Sequence, residues 1–302
     1  MMNIVKHRYI YFAISLIVII PGVVSLLMWG LPAGIDFTGG SLLEIHFNST
    51  LPETDSVVDI LHEFGFADAQ VQTAGSDKLI IRTKAMDEGT LSSILNEFKS
   101  QFNADLGLDR FESVGPTMGK EVAQRAAGAV GLAALGILIY ITYAFRGVAH
   151  AFRYGVAAIL AMLHDVIVVL GVEAILGHFL GWEADALFLT ALLTVIGFSV
   201  HDSIVVFDRI RENEKIHRKE PYETIVNMSI VQTLARSINT QLTVMFTLLS
   251  LFLFGGSTIH HFVLILLIGV FSGTYSSIFN ASPILVVWEN KEWKTWFRRS
   301  PA

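Results

Sequence analysis

Fifty-two consecutive residues, Ser237 to Trp288, contain no Asp, Glu, Lys or Arg. A membrane-spanning helix needs about 20 apolar residues to cross a hydrocarbon layer of roughly 30 Å. This run is too long for one such helix and suits two. Gly255-Gly256-Ser257-Thr258 is the turn that divides it, giving spans near 237–254 and 260–287. The same reasoning places a first span near 9–29, inside the charge-free stretch Tyr9–Ile35, with Pro21 and Gly22 as a kink. Lys6, His7 and Arg8 precede it, and its length favours an uncleaved anchor over a signal peptide. Further spans lie near 126–145, 154–176 and 186–206; Asp165 and Glu173 interrupt the third, and Asp202 falls in the fourth. Only 16% of the 302 residues are charged, against about 25% in soluble domains, so a soluble enzyme is excluded. With no cysteine, disulfides, thiolate metal sites and Cys nucleophiles are excluded too.

Charge divides the chain. Residues 30–121 hold 15 Asp/Glu and 6 Lys/Arg, a net of −9, whereas the other residues net +3. One acidic, water-facing domain of 92 residues is therefore inserted into an apolar body, and it is long enough for its own core. The bases fix the orientation. Lys6 and Arg8, Arg146 and Arg153, the group Arg209, Arg211, Lys215, Arg218 and Lys219, and finally Lys291, Lys294, Arg298 and Arg299 gather on one side. Loops 178–185 and 255–259 on the other side hold none. The basic side is cytoplasmic, with both termini on it, and residues 30–125 lie outside, which in a bacterium is the periplasm. Residues 207–236 are expected as a cytoplasmic loop, begun by Asp208 and Arg209. Residues 289–302 are a basic tail whose Trp293, Trp296 and Phe297, after Trp288, form either an interfacial anchor or a solvated end.

Within the outer domain, Leu42–Phe47 alternates as a strand. Val57, Val58, Leu61 and Phe64 recur at helical spacing, with Thr54 or Asp55 as cap. Ala69–Thr73 and Lys78–Thr83 are strands joined by a turn at Ala74-Gly75-Ser76-Asp77. Leu91, Ile94, Leu95 and Phe98 mark a second helix, and Leu108–Val114 a last strand. The order βαββαβ is the ferredoxin-like motif. The fold class is thus an α-helical integral membrane protein of six transmembrane helices with an inserted α+β ferredoxin-like periplasmic domain. The domain carries no His/acid cluster at ligand spacing and no nucleophile–base signature, so it binds or moves something, or serves as a spacer.

Carboxylates inside a membrane need a partner or a role, because Asp at a helix centre costs about 2.5–3.5 kcal/mol on insertion scales. Asp165 follows His164, Asp202 follows His201, and Arg236 opens the fifth span at a depth compatible with pairing to Asp202. Thr190, Thr194, Gly197 and His201 share one helix face, with Asp202 about 100° further round. Arg236, Thr240, Thr243 and Thr247 form a matching stripe. Two polar stripes with opposite charges describe a hydrated path in which a carboxylate takes and releases a proton. A static ion pair that fixes helix packing is the plainer reading. His260-His261 reads as interfacial, and no metal site is expected. The small-residue ladders Gly269, Gly273, Ser277, Ala281 and Ala123, Ala127, Gly131 allow close helix approach, either within the chain or to a partner.

Several motifs resemble the SecF family. Gly34-Ile35-Asp36-Phe37-Thr38-Gly39-Gly40 is similar to its motif after the first span. Val114-Gly115-Pro116-Thr117-Met118-Gly119-Lys120-Glu121 is similar to that before the second. The stretch Gly197 to Asn213 resembles the most specific SecF signature, and Gln232 to Thr240 and Leu253 to Gly256 fit as well. The resemblance covers nearly the whole chain in order. It implies six helices, a periplasmic domain, a SecD-like partner, and work in the bacterial inner membrane beside the SecY-E-G channel. There proton flow helps draw preproteins outward, in a relative of the RND transporters. By motif position Asp202 matches the family's proton-pathway carboxylate, Arg236 its motif arginine and Asp165 its His-Asp pair. His201 stands where the family usually has Asn. No catalytic residue, cofactor or nucleic-acid partner is expected. The rivals are an RND-type exporter of small molecules or lipids, an intramembrane aspartyl protease using Asp165 and Asp202, and a passive assembly subunit.

Overall fold

A computed structural model describes residues 3–48, 50–148 and 150–294, side chains of 257 and 258 excepted. Trp296, Phe297, Arg298 and Arg299 of the expected tail lie outside the described residues. The apolar run after Arg8 forms α1 (Arg8–Trp29), which carries Pro21 within it and ends at Gly30, φ 75°. A short helix, α2 (Ile35–Thr38), precedes the sheet domain.

Two units make up the chain: residues 33–128, and residues 1–32 with 129–302. The first contains β1 (Gly40–Phe47), α3 (Thr54–Glu63), β2 (Gln70–Ala74), β3 (Lys78–Thr83), α4 (Glu88–Phe102) and β4 (Leu106–Val114). All pairings are antiparallel, in the order β2-β3-β1-β4, with a bulge at Asp109 of β4 opposite Glu44 and Ile45. This is the ferredoxin-like arrangement expected. Period-two alternation puts Leu43, Ile45 and Phe47 of β1 on the covered face. They meet Val57, Ile60 and Leu61 of α3 and Leu91, Ile94 and Phe98 of α4. Asp87 caps α4 by accepting from Thr90 N at 2.7 Å. The cap position of α3 is Glu53, with no side-chain bond, rather than Thr54 or Asp55.

The second unit is a helix bundle. After α5 (Pro116–Ala144) come α6 (Ala151–Leu180), α7 (Ala186–Ile216) and α8 (Tyr222–Phe254). The sixth span is α9 (Ser257–Ser276), a π-helical turn at Ser277–Ala281 and α10 (Ser282–Glu289). Among the described residues six helices are long and apolar enough to cross a membrane, so this is a multi-pass membrane protein. The expected loop 207–236 is corrected: α7 and α8 continue through most of it, leaving residues 217–221 between them. Hydropathy stops marking a helix where it becomes charged. Here the charges pair along α7, Arg209 with Glu212 and Arg211 with Asp208, which sustains the helix.

The core consists of α6, α7 and the sixth span. Gly22 of α1 and Gly171 of α6 touch backbone to backbone. The Gly269/Gly273 ladder packs inside the chain, where Gly269 faces Val195 and Gly273 faces Ser199. Gly131 of the other ladder has open space beside it. Asn280 in the π-turn exchanges hydrogen bonds with Ser15 of α1 at 2.8 and 3.1 Å. At the start of α1, Arg8 joins Glu223 (3.2 Å) and Glu292 (2.6 Å).

Candidate functional site

Among the described residues, three carboxylates are buried in the bundle, each in its own cluster. In the first, Asp165 on α6 has no exposed surface. Its Oδ2 accepts from Ser199 and Ser276, both at 2.6 Å, and its Oδ1 from Ser272 at 2.7 Å. His164 Nδ1 lies 2.9 Å from Oδ1. Ser272 and Ser276 sit one turn apart on α9, so helical spacing aims both at the same carboxylate. A carboxylate with this many donors is satisfied as an anion.

The second cluster holds Asp202, which is 2% exposed on α7. Its hydrogen-bond partner is Gln241 of α8, whose Nε2 lies 2.5 Å from Oδ2. Gln241 is itself 4% exposed, and its Oε1 is buried without a partner. Arg236 does not meet Asp202. It is exposed and lines a cavity of about 310 Å³ with Tyr140, Asp208 and Arg211. Among the described residues it forms no ion pair. His201 and Thr240 are also exposed. Five residues separate Arg236 from Gln241, which turns them about 140° apart on α8; depth alone did not fix which one faces α7.

Parts of the two polar stripes come together. Thr194 of α7 and Thr243 and Thr247 of α8 line one cavity of about 250 Å³. Their hydroxyls donate to carbonyls one turn back, at 2.7, 2.9 and 3.0 Å. That leaves oxygen lone pairs for the cavity.

The third cluster was not anticipated as a pair. Glu173, fully buried on α6, lies 2.7 Å from His261 Nε2 on α9, and its other oxygen is buried without a partner. The aromatic rings of Trp182 and Phe188 flank His261. Asp165 and Asp202 have separate partners and share no hydrogen bond. Among the described residues no group of three acidic or histidine side chains is placed to hold a metal.

Asp36, Phe37, Thr38, Gly39 and Gly40 belong to the other unit. Gly39 has φ 76°, and a Cβ there would lie 2.6 Å from Pro116 Cα; one on Gly119 would lie 2.6 Å from Gly39 N. The motifs at 34–40 and 114–121 are therefore one contact read from both sides, glycine-bound because the backbones touch.

Comparison with known proteins agrees with these features. Residues 94–291 match the family model described as protein export membrane protein SecD/SecF, C-terminal. The protein translocase subunit SecF of Anaerolinea thermophila is 56% identical over 99% of this chain and 98% of its own. That of Thermobaculum terrenum is 51% identical over 99% and 98%. The crystal structure of SecDF, a translocon-associated membrane protein from Thermus thermophilus, superimposes with a TM-score of 0.82 at 34% identity. That match covers 96% of this chain and 39% of the SecDF chain, so this chain spans about two fifths of it. With full-length similarity, matching helices and the same inserted sheet domain, the chain belongs to the SecD/SecF family of protein-export membrane proteins, as a protein translocase subunit of the SecF kind.

Proposed function

We propose that the chain assembles with a SecD-like subunit in the bacterial inner membrane and uses the proton motive force to help preproteins cross beside the SecY-E-G channel. SecDF of Bacillus subtilis supports the pairing: this chain aligns with 38% of it at 34% identity, leaving room for a second part on the same polypeptide. The distribution of bases supports cytoplasmic termini and a periplasmic domain at 30–125. The role is transport rather than catalysis.

One observation carries the proton reading: Asp202 is buried at a helix–helix seam with a single neutral hydrogen-bond partner. A carboxylate held by several hydroxyls, as Asp165 is, is tied to the helices that supply them. One held by a single carboxamide can exist with or without its proton. The α7–α8 cavity, with its threonine oxygens, gives water and protons a place beside that seam. Each elementary charge moved across the membrane potential is worth about 2.3 kcal/mol per 100 mV, enough to bias two arrangements of packed helices. In this reading Asp202 carries the proton, Asp165 fixes α6 to α7 and α9, and Arg236 acts through α8 rather than as a standing partner of Asp202.

The test is Asp202→Asn, with preprotein export measured in proteoliposomes containing the partner subunit, with and without an imposed proton gradient. The gradient-dependent part of export should disappear while the remainder persists. Unchanged gradient dependence rejects the role. A change in complex yield alone supports the passive subunit. Gradient-driven efflux of a small molecule or lipid without preprotein supports the exporter.

A further inference from the structure

Gln241 is absent from the sequence-based site, yet among the described residues it is the side chain hydrogen-bonded to Asp202. Its carboxamide offers donors at one end and an acceptor at the other. Facing an ionised Asp202, only the NH2 end can bond, and that is the arrangement observed: Nε2 against Oδ2, with Oε1 buried and unpartnered. A protonated Asp202 presents an O–H beside its remaining accepting oxygen, and a half-turn of the carboxamide that brings Oε1 to that O–H gives it its acceptor. The same half-turn relieves the unpartnered oxygen. Room for the turn exists, because Gln241 borders a cavity of about 250 Å³ whose walls include Ile238, Met245, Phe271 and Tyr275.

We propose that Gln241 is the positioning residue of the proton step: its carboxamide turns over when Asp202 gains or loses a proton, and so carries the change from α7 to α8. The proton arrives on Asp202 Oδ2 and leaves from it, and no other bond is made or broken. Other titratable groups on the surrounding helices include His201 on α7, Arg236 on α8, Tyr275 on α9, and His164 and Asp165 on α6. His201 and Arg236 are exposed, Tyr275 donates to Tyr11 O at 2.7 Å, and His164 and Asp165 bond to each other. Gln241 is thus the group through which a change at Asp202 is read. The inference rests on the proton role of Asp202 given above.

The experiment compares Gln241→Leu with Asp202→Asn in the full chain with its partner subunit, reading gradient-driven export against pH. Leucine keeps the bulk and removes both hydrogen-bonding ends. Without the N–H donor the carboxylate loses the bond that favours it. The pH of half-maximal gradient-driven export should then rise by about one unit, a tenfold change in proton concentration. If Asp202→Asn abolishes the gradient response while Gln241→Leu leaves the profile in place, the Gln241 role is overturned and the Asp202 role stands. If Asp202→Asn leaves the response intact, the functional reading itself fails, and this inference with it. Should the leucine variant not assemble, infrared difference spectra of the otherwise unaltered complex with 13C-labelled glutamine decide the matter. A glutamine carbonyl band that moves on acidification and is still in Asp202→Asn supports the turn; a band that stays still in both overturns it.

Discussion

Ser276 Oγ on α9 donates to Asp165 Oδ2 on α6 at 2.6 Å, in a site where Asp165 has no exposed surface. Ser199 brings α7 to the same oxygen, so one carboxylate ties three helices. Asp165→Asn replaces one accepting oxygen by a donor. Whichever way the amide faces, two of the present donors lose their acceptor. Bonds to charged groups are worth about 1.5–3 kcal/mol each, so the variant should lose roughly 3–6 kcal/mol. Asp202→Asn keeps an oxygen that accepts from Gln241 Nε2 and only weakens one bond, so it should cost about 1 kcal/mol. Thermal unfolding of the purified chain in detergent would rank them. Equal losses would contradict the separation between a structural and a proton-carrying carboxylate.

Close helix approach predicts a second pair of outcomes. A Cβ at Gly171 would lie 2.5 Å from Gly22 Cα, and one at Gly22 2.9 Å from Gly171 Cα. Backbone cannot swing aside as a side chain can, so α1 must move away from α6. Either glycine-to-alanine change should destabilise by about 1–3 kcal/mol, the usual cost of overpacking. Gly136 on α5 has open space around its missing Cβ. There alanine should be neutral or stabilise by up to about 1 kcal/mol, since glycine is the poorer helix former. The same unfolding assay distinguishes the two sites.

What the sequence made legible follows from what costs most. Charge-free runs marked the spans because a charge in hydrocarbon is expensive. Period-two and helical spacing marked the sheet domain because one face of each element is covered. Asp202 stood out for the same reason as the spans. Gln241, Ser199, Ser272 and Ser276 did not, because uncharged polar side chains are common in helices and their partners lie 34 to 111 residues away. Glu173 was visible only as an interruption, since nothing in the sequence brings His261, 88 residues on, to its side. Arg236 was given the right helix and a compatible depth but the wrong face, a matter of rotation about α8 that only packing decides.

The sheet domain carries a pH dependence whose sign is fixed by its exposed face. Lys78 Nζ lies 2.8 Å from Asp109 Oδ2 and 3.2 Å from Glu44 Oε1, and His46 meets the other oxygen of Asp109. The bond from Lys78, and then that from His46, holds the Asp109 carboxyl below the usual range. Bonds to Asp109 and Glu44 hold the Lys78 ammonium above its own. A depressed acid stabilises the fold above its unfolded pKa of about 3.9 and stops doing so as pH falls through its folded value. A raised amine stabilises below its unfolded pKa of about 10.4 and stops as pH rises through its folded value. Amide-exchange protection of β1 and β4 in the full chain, corrected for intrinsic rates, should be flat between these limits and fall outside both. Asp109→Asn should remove the acid-side fall that this cluster causes. An unaltered acid limb would contradict the assignment.

The threonines between α7 and α8 separate a hydrated seam from a merely packed one. Each hydroxyl of Thr194, Thr243 and Thr247 already donates to its own helix, so its contribution to the cavity is a lone pair facing about 250 Å³ of space. Valine preserves the shape and removes that lone pair. If the seam only packs, Thr194→Val and Thr247→Val together should leave gradient-driven export unchanged, since the added methyl groups suit an apolar contact. If water in the seam delivers protons toward Asp202, the cavity loses hydrogen-bonding partners that a water needs, and the gradient-driven rate should drop several-fold. Stability should change by less than about 1 kcal/mol in either case, because no buried donor is orphaned. Measuring proton influx into proteoliposomes alongside unfolding temperature tests both statements. A slowed flux with unaltered stability assigns the threonines to the proton path, whereas a parallel loss of both would mean that the hydroxyls hold the helices together.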